Sequence, residues 1–168
     1  MMSEFSEKND VFDVAQRLGE LLVSRGLTCS VAESCTGGMI GAAITAVAGA
    51  SVWFSGGVIA YSNRIKERIL GVSPEVLLTY GAVSAETVSA MAEGVAACIG
   101  TDCAVSVSGI AGPSGGSADK PVGLVYIGVS CRGKTATFRH LFDGDRETVR
   151  HDAVDAALGH LIDMVQLS

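Results

Sequence analysis

Apolar, β-prone runs at residues 27–33, 54–61, 102–109, 122–131 and 134–142 are separated, over most of the chain, by stretches whose apolar residues return at helical spacing. Strands divided by helices cannot pair as simple hairpins. They call for a largely parallel sheet with helices on both faces. The last two runs differ, because only Arg132 and Gly133 lie between them, and they read as a hairpin. The pattern therefore predicts an α/β fold, a three-layer α/β/α sandwich around a mixed, mostly parallel sheet.

Local signals place the helices. Asp10 is a cap for a helix whose apolar residues Val11, Phe12, Ala15, Leu18, Leu21 and Leu22 recur up to Gly26. Residues 36–49 read as a small-residue helix, and Ser62 opens a short one. Ser73, Pro74 and Gly81 bracket another, with proline at the first helical position. Ser84 caps a helix with Glu86 in its first turn, and the chain closes on a helix from about 143 to 165. Aromatic residues make up only 5% against 21 glycines, so Val, Ile, Leu and Ala must build the core. The 168 residues suit a single domain over 10–168, preceded by a tail over 1–9.

Charge and cysteine usage narrow the function classes. A net charge of −6 supplies little of the field that draws proteins to nucleic acid, so direct DNA or RNA binding is not expected. No stretch reads as a secretory signal or a membrane span. The five cysteines are odd in number, have no C-x-x-C spacing and no histidine beside them. They predict reduced thiols in a cytoplasmic setting and no metal site.

Four stretches carry candidate chemistry. "VAESCTGGMIGAA" (31–43) runs a strand into Ser34, Cys35 and Thr36, then Gly37 and Gly38, at the start of a helix. Strand ends that meet helix starts gather ligands, and backbone N–H groups from Cys35 to Gly38 could hold a phosphate or an oxyanion. The competing use of Ser34 or Thr36 is a plain helix cap. "AYSNRIK" (60–66) places Tyr61 at a strand end and Lys66 one turn into a helix. A lysine serves as a base only where its surroundings lower its pKa. Otherwise the two are a surface tyrosine and a solvated lysine.

In "VSGIAGPSGGSADKPVG" (107–123), Ser106 and Ser108 share a strand face, and Gly109, Ala111, Gly112, Gly115 and Gly116 form a loop able to wrap an anionic or ribosyl group. The alternative is an ordinary surface loop, and no nucleoside triphosphate or dinucleotide motif is present. In "FDGDRETVRHD" (142–152), Arg146 sits at a helix start, where its charge opposes the dipole unless it shares an anion. Arg150 follows one turn later. His140, His151 and His160 are scattered and read as structural.

Together "ESCTGG", "FSGGVIAYSNRIKERILGV", "GAVSAETVSAMAEG" with "SVSGIAGPSGG", and "VGLVYIGV" with "FDGDRETVR" resemble, in order, the C-terminal domain of competence/damage-inducible protein CinA. That family includes stand-alone nicotinamide-nucleotide amidases. The resemblance implies hydrolysis of the carboxamide of nicotinamide mononucleotide to nicotinate mononucleotide and ammonia, without a cofactor. It implies Ser34 as nucleophile, Lys66 as base and Tyr61 as relay or orienter, with helix N–H groups as oxyanion donors. Thr36, Gly37 and Gly38 are then expected at the amide end, and Ser108, the Gly109–Gly116 loop and Arg146 around ribose and phosphate. A homo-oligomer is expected as well. Two rival readings stand beside this one: a non-catalytic nucleotide-binding module, and a serine–lysine amidase for another small amide.

Overall fold

The computed structural model describes residues 10–168. The expected tail at 1–9 lies outside the described residues. The elements run α1 (Val11–Arg25), β1 (Cys29–Glu33), α2 (Met39–Thr45), a 3₁₀ turn (Ala50–Val52) and β2 (Phe54–Ile59). After them come α3 (Asn63–Arg68), α4 (Pro74–Tyr80), α5 (Ala85–Ile99), β3 (Cys103–Gly109), β4 (Leu124–Cys131), β5 (Lys134–Leu141) and α6 (Arg146–Gln166).

The five strands form one sheet in the order β2-β1-β3-β4-β5. β1 is parallel to β2 and to β3, while β4 is antiparallel to both its neighbours. Because β5 reverses β4, it runs with β1–β3, and β4 alone opposes the rest. The mixed, mostly parallel sheet expected from the sequence is present.

Side-chain alternation divides the core in two. Cys29 and Val31 of β1 and Val105 and Val107 of β3 join Leu18, Ile40, Ile44 and Leu158 on the face covered by α1, α2 and α6. Ala32 and Ala104 face the other way, among Leu70, Val72, Leu77, Met91 and Val95, beneath α3, α4 and α5. With Val31 on the first face, the same period sends Glu33 toward α2. Ser34 follows the period to the opposite side, toward α3.

Most caps are where the sequence puts them. Asp10, Ser62, Ser73 and Ser84 each accept a backbone N–H of the first turn, and Gly26 ends α1 in a left-handed conformation. The Arg132–Gly133 turn has positive φ at both residues, the geometry that closes a two-residue hairpin. Two expectations are corrected. The helix expected over 36–49 is confined to 39–45, because Thr36 to Gly38 are drawn into a turn held by Glu33. The cysteines are not all free thiols. Cys103 and Cys131 lie opposite each other on β3 and β4 and form a disulfide across 28 residues, which linear spacing conceals.

Gly94 of α5 crosses α3's trailing segment so closely that a Cβ would overlap the Leu70 carbonyl oxygen. Alanine is better than glycine in a helix by about 1 kcal/mol, yet backbone cannot step aside as a side chain can, and such overpacking costs about 1–3 kcal/mol. Gly94→Ala should therefore lower the urea midpoint of unfolding. A raised midpoint would show that the crossing relaxes freely.

Candidate active site

Ser34 extends β1 by one residue, its N–H donating to the Val107 carbonyl of β3 at 3.0 Å. The neighbouring strand supplies the second partner. β2 ends at Ile59, and the Ala60 N–H donates to the Glu33 carbonyl at 2.7 Å, which leaves the Ala60 carbonyl facing α3. Lys66 comes from α3 and is 1% exposed. Its Nζ donates to the Ala60 carbonyl at 2.8 Å and lies 3.1 Å from Ser34 Oγ. Ser62 at the cap starts α3 at the point that directs Lys66 inward.

A buried ammonium with no carboxylate partner is costly, so the neutral amine is favoured. Burial holds Lys66 below the ordinary lysine value of 10.5, opposed only by the smaller influence of Cys35. A neutral amine keeps one lone pair, and here that lone pair can accept the Ser34 hydroxyl proton. Cys35 beside it is a poor rival: burial pushes its thiol up to about 11, despite its own backbone N–H and the Arg150 charge. At neutral pH it stays a thiol and lacks the nucleophilic thiolate.

The turn after Ser34 is fixed from one side by Glu33. Glu33, 1% exposed, accepts the Thr36 hydroxyl at 2.6 Å and the N–H groups of Gly38, Ile40 and Gly41 at 2.8–3.1 Å. The start of α2 is thereby capped from within. Neither Ser34 nor Thr36 is the cap, and the helix terminus is not free to hold an anion. Gly37 donates to the Ser34 carbonyl at 3.1 Å, and Met39 to the Thr36 carbonyl at the same distance. Of the amides from Cys35 to Gly38, those of Gly37 and Gly38 are spent on the Ser34 carbonyl and Glu33, while those of Cys35 and Thr36 donate to no other residue among the described residues. Thr36 is fully buried, so the oxyanion donors expected from the helix end reduce to the Cys35 N–H.

Ser34, Tyr61, Lys66, Ser108, Gly109, Ala111, Gly112, Gly115 and Arg146 all line one cavity of about 380 Å³. Thr36, Gly37, Gly38 and Gly116, also expected there, do not line it. Thr36 is fully buried against Glu33, and a Cβ on Gly116 would meet Val122 rather than the cavity. Ser108 lends its hydroxyl to the Ala82 carbonyl at 2.7 Å. Arg146 reaches across to the Gly112 carbonyl at 2.8 Å, one of its five N–H donors, and so ties the glycine loop to the start of α6.

Tyr61 is 65% exposed at the rim and makes no hydrogen bond to Ser34 or Lys66 among the described residues. The structure also brings in Asn63, Ala82 and Val83, outside the expected set, and Cys35, Ile110 and Ser114 from within the stretches the sequence points to. Asn63 stands inside the "YSNRIK" stretch and was within reach of a sequence argument. Ala82 and Val83 carry no chemical signal. A larger groove of about 490 Å³ against α1 and the 3₁₀ turn offers Gln16 and Glu20 as polar side chains and no nucleophile.

A hydroxyl and a buried lysine at the strand ends of a mixed α/β sheet, beneath a glycine loop, define a serine–lysine type of site. The sequence model of the CinA C-terminal domain matches residues 11–165, and the chain belongs to that family. It is 50% identical over 149 residues to a nicotinamide-nucleotide amidohydrolase PncC of Enterobacter agglomerans, covering 88% of this chain and 90% of that protein. It is 49% identical over 140 residues to a putative competence-damage inducible protein of Moorella thermoacetica, covering 83% of this chain and 34% of that one. The chain spans about a third of the length of several curated relatives it matches. Among solved structures, a CinA superfamily protein of Klebsiella pneumoniae superposes with a TM-score of 0.92 at 34% identity, over 95% of this chain and 100% of that one. A competence/damage inducible protein of Agrobacterium tumefaciens gives 0.90 at 41% identity, over 97% and 99%.

The lowered Lys66 value has a measurable sign. Between its folded value and 10.5 the unfolded chain binds more protons, so stability rises with pH across that window and flattens below it. Lys66→Met has no such term. Urea midpoints measured from neutral pH upward should shift in favour of wild type relative to Lys66→Met. Parallel curves would mean that Lys66 keeps an ordinary affinity for its proton.

Proposed function

We propose that this chain hydrolyses the carboxamide of nicotinamide mononucleotide, giving nicotinate mononucleotide and ammonia. The observation that carries the reading is the buried Lys66 amine 3.1 Å from Ser34 Oγ. A full-length relative named as an amidohydrolase of nicotinamide nucleotide supports the substrate class. The chemistry follows from the atoms. Neutral Lys66 takes the Ser34 hydroxyl proton as Oγ attacks the carboxamide carbon, forming the C–O bond of a tetrahedral intermediate. The Cys35 N–H, in the wall of the cavity beside Ser34, is the donor available to the resulting oxyanion.

Lys66, now an ammonium, returns its proton to the amide nitrogen as the C–N bond breaks, and ammonia leaves. Water then attacks the acyl ester, giving its proton to Lys66. Collapse breaks the ester bond, and Ser34 regains its hydrogen. The exposed phenol ring of Tyr61 suits the role of a wall for the flat pyridine ring better than that of a proton relay. At the far end of the cavity, Ser114, the Gly109–Gly115 backbone and the remaining Arg146 donors suit ribose and phosphate.

Purified protein should release ammonia from nicotinamide mononucleotide, and Ser34→Ala should cut turnover by a factor on the order of a thousand or more. Arg146→Ala should raise KM roughly tenfold and spare kcat, as loss of uniform binding does. Nucleotide binding without ammonia release by wild type would instead favour the non-catalytic module, and Ser34-dependent release from other amides alone would reassign the substrate.

A further inference from the structure

Arg150 has no place in the reaction so far. It lies one turn into α6 and is absent from the lining of the Ser34 cavity. Its guanidinium makes no ion pair among the described residues. Instead Nε donates to the Cys35 carbonyl at 3.0 Å and Nη2 to the Thr36 carbonyl at 3.2 Å. Gly37 lets it come this close: φ there is +59°, and a Cβ would stand 3.3 Å from Nη2. A fixed, planar fork on two successive carbonyls is what distinguishes arginine from lysine at such a position.

A trans peptide is planar, and its C=O and the following N–H point in opposite directions. Gripping the Cys35 carbonyl therefore aims the Thr36 N–H away from Arg150. Gripping the Thr36 carbonyl fixes the next plane, whose Gly37 N–H donates to the Ser34 carbonyl at 3.1 Å. That bond in turn fixes the Ser34–Cys35 plane and so the direction of the Cys35 N–H. The direction of the Cys35 N–H is thus set by one side chain, through a single intervening hydrogen bond. Glu33 holds the other side of the turn through Thr36 Oγ1 and Gly38 N, so the planes cannot rotate to follow a loosened partner at no cost.

We propose that Arg150 is a positioning residue that orients the Cys35 N–H group toward the oxyanion. The inference rests on the amidase reading, and it assigns Arg150 a part in the transition state rather than in substrate binding. The phosphate-ligand alternative is distinct, since Arg150 and Arg146 share a shallow cavity beside Met39. An arginine that held phosphate would act on KM.

The test is steady-state hydrolysis of nicotinamide mononucleotide by wild type, Arg150→Ala and Arg150→Lys, with thermal melts of each and assays kept well below the lowest Tm. Removing one oxyanion donor costs about 100- to 1000-fold in kcat, and misaiming it should cost a sizeable part of that, roughly 10- to 100-fold. Arg150→Ala should lose that much kcat with KM within about threefold. Added guanidinium ion at millimolar concentration should restore part of the alanine variant's kcat. Arg150→Lys, able to hold one carbonyl, should fall between and remain testable where the alanine variant does not fold.

A folded variant with wild-type kcat would overturn the proposal. So would a raised KM at unchanged kcat, or a kcat loss that guanidinium leaves untouched. If wild type itself releases no ammonia, the amidase reading fails first. An active wild type with an equally active Arg150 variant refutes the positioning role alone.

Discussion

Burying a lysine amine under the ends of β1 and β2 is the constraint on which the rest of the site depends. Lys66 has the Ala60 carbonyl and the Ser34 hydroxyl as its hydrogen-bond partners, and among the described residues no carboxylate lines its cavity. In that setting desolvation outweighs the other influences and favours the neutral amine. The parallel pairing of β1 with β2 and β3 makes this possible. It ends two strands side by side, so that one offers a carbonyl and the other a hydroxyl to the same nitrogen. The loss of stability that comes with such a lysine is the usual cost of a functional site.

The turn that carries Ser34 shows how the same strand end serves both faces of the sheet. Glu33 points to the α2 side and consumes the helix N–H groups, while Ser34 points to the α3 side and meets Lys66. On the proposed reading, a free helix terminus beside Ser34 would attract the substrate's phosphate to the wrong end of the cavity. With that terminus capped by Glu33, the arginine that lines the cavity is Arg146, on the glycine-loop side. Substrate orientation then follows from where charge is cancelled as much as from where it is left.

Much of the fold was legible in the sequence because local rules and tertiary structure agree. Ser62, Ser73 with Pro74, Ser84 and Gly26 carry out the capping that their types predict. The Arg132–Gly133 turn closes the hairpin its spacing implies. What escaped was decided by contacts distant in sequence. The length of α2 depends on Glu33, a residue with no capping signature at its position. The Cys103–Cys131 disulfide depends on cross-strand register. At the site, matched motifs brought Ser34 and Lys66 together, yet they could not show that the Thr36 hydroxyl is spent on Glu33. Nor could they show that Tyr61 stands at the rim without touching either partner.

The most direct measurement of the central claim is to quench the protein during turnover of nicotinamide mononucleotide and map covalent mass on its peptides. A serine nucleophile predicts an acyl adduct, the nucleotide minus ammonia, on the peptide carrying Ser34 and on no other, and none in Ser34→Ala. Ammonia release at full rate with no adduct at any quench time, together with retained turnover in Ser34→Ala, would contradict it and point to direct attack by water.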